Sequence, residues 1–97
     1  MHIYLIAYEI SDYLLEYSEL KETIRGLSPD VQHPMECVWF VKSGDSLDFR
    51  KTAERLNGCL KSTNDKIYMM EIPSEETTHS GWLPKVMWKW FRAEVKK

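Results

Sequence analysis

Four cations recur at helical spacing near the end of this sequence: Lys85, Lys89, Arg92 and Lys96, at intervals of four, three and four. A helix lines such residues up on one stripe, where they can give charge-assisted hydrogen bonds to phosphate oxygens. Trp82 and Trp88 stand beside them as flat surfaces on which a base can stack. The small polar residues just upstream, Thr77, Thr78, His79, Ser80 and Gly81, could close over a ligand and offer it backbone N–H groups. They could equally form a plain connector. The stripe too has a simpler reading, a helix docked through Met87, Trp90 and Phe91 with its cations in water. Arg50, Lys51, Arg55 and Lys61 make a second basic group. If both groups shared one surface of a dimer, the net charge of −2 would conceal a bipolar field.

The acids suggest different chemistry. Glu9 and Asp12 lie near the end of an apolar segment, and two copies brought together by a dimer axis could hold Mg²⁺ through carboxylate oxygens. Alternatively Asp12 caps a helix and Glu9 sits on a wet turn. His2, His33 and His79 have no partner at metal-ligand spacing; His33 and Cys37 bracket a turn, but two ligands make no zinc site. His79 in its loop reads either as a general acid or ligand contact, or as a solvated side chain. No metal site is assigned. The chain holds no Ser-His-Asp grouping, P-loop or H-E-x-x-H motif. Cys37 and Cys59 form no C-x-x-C pair; they read either as a single long-range disulfide or, preferably, as buried free thiols.

These residues need elements to hold them. His2–Tyr8 is apolar on both sides, as a strand covered on both faces would be. Ser11 or Asp12 is positioned to cap a helix reaching Leu27, with Tyr17, Leu20, Ile24 and Leu27 inward. Pro34 divides the next region into Val31–His33 and the stronger strand Cys37–Lys42. Leu47 to Leu60 predicts a helix with Phe49, Ala53, Leu56 and Leu60 on one face. Lys66–Ile72 is a further strand, ended by Pro73, and Pro84 opens a terminal helix. The order β-α-β-β-α-β predicts an α+β, ferredoxin-like fold: a four-stranded antiparallel sheet plus a C-terminal helix. One sheet face would lie under the two helices. The other is too apolar to stay wet, so dimerisation or the C-terminal helix must cover it.

Ninety-seven residues make one domain, with a core at 1–72, a loop at 73–83 and the terminal helix at 84–97. A composition 43% hydrophobic and 29% charged excludes a disordered or low-complexity chain. A net charge of −2 excludes a polycation. The opening residues are too short and lack the basic flank of a secretory signal, and no run reaches the length of a membrane span, so a cytoplasmic protein with no membrane partner is expected.

Tyr8-Glu9-Ile10-Ser11 closing the first strand resembles the small CRISPR adaptation subunit that partners the integrase, and the virulence-associated toxin D endoribonucleases. Closer still, Tyr4–Tyr8, Trp39–Ser43, Asn64–Ile67 and Gly81-Trp82 together resemble small SinR-like prokaryotic and phage proteins grouped loosely with that subunit by fold. The resemblance covers most of the chain through short motifs made mainly of core residues. It implies the ferredoxin-like fold. In the nuclease members an acid after the first strand is held to bind a divalent metal across a dimer interface; Glu9 matches it, where the CRISPR subunit typically has Asp. The expectation is a non-enzymatic, homodimeric binding or sequestering protein of prokaryotic or phage origin, without a cofactor. Its ligand would carry phosphate: a nucleotide, a cyclic oligonucleotide or a nucleic-acid strand. Two alternatives stand beside it, a Mg²⁺-dependent endoribonuclease or endonuclease using Glu9 and Asp12, and a protein-interaction module docking by its aromatics.

Overall fold

A computed structural model describes residues 2–12, 17–73 and 81–93. The elements run β1 (His2–Glu9), α1 (Ser18–Arg25), β2 (Asp30–Met35), β3 (Val38–Ser43), α2 (Phe49–Asn57), β4 (Lys66–Ile72) and α3 (Lys85–Arg92). The fold is α+β, with four strands in the order β2-β3-β1-β4 and every neighbouring pair antiparallel. β1 is central, which is why its residues are apolar on alternate and intervening positions alike.

Strand alternation splits the core into two layers. Tyr4, Ile6 and Tyr8 of β1 join Trp39 and Val41 of β3 on one face, under Leu20 and Ile24 of α1 and Leu56 of α2. Leu20, Ile24 and Leu56 are fully buried, each stabilising by about 1.5–3 kcal/mol relative to exposure. Ile3 and Phe40 point the other way and lie under Met87, Trp90 and Phe91 of α3. Of the two expected covers for the second face, the C-terminal helix therefore supplies one.

Four local expectations are corrected. α1 begins at Ser18 with Tyr17 as an N-cap that makes no side-chain bond; neither Ser11 nor Asp12 caps it. Ser11 instead gives both its N–H and its hydroxyl to the Asp65 carboxylate, each at 2.9 Å, so its hydroxyl donates to a charged acceptor where a cap would accept from a helix N–H. β2 runs through Pro34 rather than stopping there, because its register with β3 shifts between Gln32 and Met35; a bulge on an edge strand asks no ladder bond of proline. α2 is shorter than Leu47–Leu60, starting after Asp48, whose carboxylate accepts from the Lys51 N–H at 2.9 Å. Its inward residues are Thr52 and Leu56, followed by Cys59, while Phe49 and Ala53 are exposed. Phe49 meets the core only by leaning its ring edge on Tyr4, 5.4 Å between centroids.

Candidate functional site

α3 is built around its three inward side chains. Phe91 meets Phe40 edge to face at 4.9 Å and Trp90 at 5.3 Å. The Trp90 indole N–H donates to Asp30 Oδ1 at 2.6 Å. Lys42, fully buried, reaches from β3 to the far end of the helix, where its ammonium donates to the carbonyls of Trp90 and, at 2.9 Å, Ala93. It also lies 4.3 Å from the Trp90 ring centre. A cation here adds a donor to the carbonyls of the last turn, where the Trp90 carbonyl also accepts the Ala93 N–H at 3.3 Å, and it meets the negative end of the helix dipole. Asp30 and Lys42 are register partners across β2 and β3, so one rung of the sheet holds α3 by both its indole and its last turn. No role for Asp30 or Lys42 followed from the sequence.

This docking decides what faces water. At about 100° per residue, Met87, Trp90 and Phe91 centre on one side of α3, and Lys85, Lys89 and Arg92 centre roughly 180° away. All three cations are exposed. Trp88 is half-buried on the flank, its ring 5.8 Å from Phe91. Trp82 is 99% exposed and Val86 69%. The helix is thus both docked as the simpler reading has it and striped with cations outside. Thr77, Thr78, His79, Ser80 and Lys96 lie outside the described residues.

The second basic group does not join this one within a chain. α2 packs on the Tyr4–Ile6 face and α3 on the Ile3–Phe40 face, so Arg50, Lys51 and Arg55 stand on the opposite side of the sheet. Arg50 is paired with Glu54 at 3.4 Å, and the Lys61 ammonium lies 5.6 Å from the Tyr17 ring centre.

Glu9 is exposed at the end of β1 and pairs with Lys66 at 3.4 Å; Asp12 is exposed three residues on. Among the described residues no group of three or more His, Cys, Asp or Glu is placed to hold a metal ion. His2 meets Glu71 at 3.2 Å. His33 stacks on Trp39 at 3.6 Å and bonds the Glu36 carbonyl through Nε2 at 2.7 Å. Cys37 and Cys59 are free thiols, Cys59 buried and Cys37 half-buried. Burial pushes the Cys37 thiol up, which makes it a poor nucleophile.

Asp65, in the turn before β4, is a heavily bonded carboxylate. Asp65 accepts from Ser11 N–H and Oγ at Oδ1, and from Tyr17 O–H (2.6 Å), Lys61 N–H and Ser62 N–H (both 3.1 Å) at Oδ2. The Ser11 backbone N–H, then the Tyr17 hydroxyl, hold its carboxyl well below the usual range. The same bond to Asp65 pushes Tyr17 up to about 12. With every lone pair engaged, this carboxylate is a structural knot and not a ligand site.

Comparison with protein-family models, with curated proteins and with solved structures found no match to this chain.

Proposed function

We propose that this chain is a ferredoxin-like, non-enzymatic binding protein that holds a phosphate-bearing strand along the outer side of α3. The strand order, with α1 and α2 packed on one face, supports the fold assignment. For the ligand, the observation that carries the reading is the stripe of Lys85, Lys89 and Arg92, turned to water by the burial of Met87, Trp90 and Phe91. The three cations span roughly 10 Å of helix, more than one phosphate can occupy, which favours a strand over a mononucleotide. A fully exposed indole at Trp82, three residues before Lys85, gives a base a surface to stack on, a contact that does not depend on base identity.

The experiment is a titration of a fluorescent single-stranded oligonucleotide, followed by anisotropy. Each lost charge-assisted contact at a partly exposed site removes about 1–2 kcal/mol, so Lys89→Ala/Arg92→Ala should weaken binding roughly 30- to 1000-fold. Trp82→Ala should cost roughly 5- to 150-fold through lost stacking. If the folded variants bind as the parent does, the stripe is only a solvated face and the proposal is wrong.

A further inference from the structure

The two edges of the sheet are guarded differently. β2 carries Pro34 and a broken register with β3, both of which discourage an added strand. β4 has neither. It pairs with β1 in unbroken register from Lys66 to Ile72, and among the described residues no strand lies beyond it. Two large apolar side chains stand out along this edge, Tyr68 at 62% exposed and Met70 at 38%. Both lie on the α3 face of the sheet, in register with Ala7 and Leu5, outside the apolar cluster that α3 forms with Leu5 and Ile72.

We propose that a second copy of this chain pairs its own β4 antiparallel to this one, about a two-fold axis through Met69. The sequence of the strand is self-complementary in that register. Opposed residues must share a face, so registers slip only in steps of two. The register centred on Met69 is the one that pairs all of Lys66–Ile72. It sets Tyr68 against Met70 of the partner subunit, and the reverse, an aromatic–aliphatic contact made twice. Lys66 then faces Ile72 of the partner subunit, and Glu71 faces Ile67 of the partner subunit. Registers centred on Lys66 or Glu71 would oppose like charges and pair fewer residues. The axis stands perpendicular to the sheet, so the dimer is one eight-stranded sheet with both α3 helices on the same side. Two cationic stripes then share a surface, although the dimer does not depend on what the stripes bind.

Sedimentation equilibrium of the intact protein should give a dimer at micromolar concentration. Tyr68→Lys/Met70→Lys, which sets cations against each other across the axis, should raise the dissociation constant at least about tenfold while circular dichroism stays that of the parent. Directly opposed strand residues lie at Cα separations that a disulfide can bridge. Tyr68→Cys/Met70→Cys in a Cys37→Ala/Cys59→Ala background should therefore form intermolecular cross-links under mild oxidation. A parent protein that stays monomeric overturns the proposal. So does a dimer that survives the lysine substitutions and does not cross-link, because its interface must then lie elsewhere.

Discussion

Asp65 shows how much a single side chain can organise. Its donors come from the chain after β1, from the entry to α1 and from its own turn, so one carboxylate closes that end of the core. The linkage has a sign. Asp65 titrates below an ordinary carboxyl, so its contribution is present above about pH 4 and is lost as pH falls toward its folded value. Tyr17 titrates above an ordinary phenol, so the contribution of its neutral form is present below about pH 10 and is lost as pH rises through about 12. Urea unfolding across pH should show both limbs. Asp65→Asn should lower the midpoint at neutral pH and flatten the acid limb, because its amide must point –NH₂ at donors that now need an acceptor. Tyr17→Phe removes one donor only, so it should cost less and shrink the alkaline limb, leaving the part due to Tyr8, whose phenol burial also pushes up. None of this was legible in Asn64-Asp65, whose residue types alone suit a turn. Side-chain partners 48 and 54 residues away leave no local pattern.

At the scale of elements, the sequence was most readable where periodicity alone decides. The inward face of α3 follows from its spacing, as does the coverage of β1 on both sides. It misled at α2, where Thr52 takes an inward position that hydropathy assigns to Phe49 or Ala53. It was silent on Lys42, because a lysine counts as wet until a helix end offers it carbonyls. Lys42→Met keeps the stem and removes the ammonium, taking its donor away from the last carbonyls of α3. We expect a loss of about 1–3 kcal/mol, a melting temperature lower by roughly 4–8 °C per kcal/mol, and a red-shifted tryptophan emission as Trp90 becomes wet. The far-ultraviolet signature of the sheet should persist. If Lys42→Met melts and emits as the parent does, the ammonium does not hold the helix.

For the whole molecule, charge is better described by where it sits than by its sum. The chain carries 13 Lys and Arg against 15 Asp and Glu, yet α3 turns three cations outward together. A single strand that neutralises three charges should lose affinity with a log–log salt slope of about −2, and one long enough to cross both stripes of a dimer about −4. Measuring oligonucleotides of two lengths over a range of salt concentrations separates the cases; equal slopes would mean that the stripes act alone. The central position of β1 has a different consequence, one that concerns the order of events during synthesis. Of the four described strands, the earliest made pairs with the latest, and Glu9 waits for Lys66 across 57 residues. At roughly 5–20 residues per second, β1 leaves the ribosome some 3–11 s before that partner exists. Its apolar residues must meanwhile be sheltered by α1 and the β2–β3 hairpin, so the nascent chain passes through a half-sheet whose open edge is β1, a strand apolar on both faces.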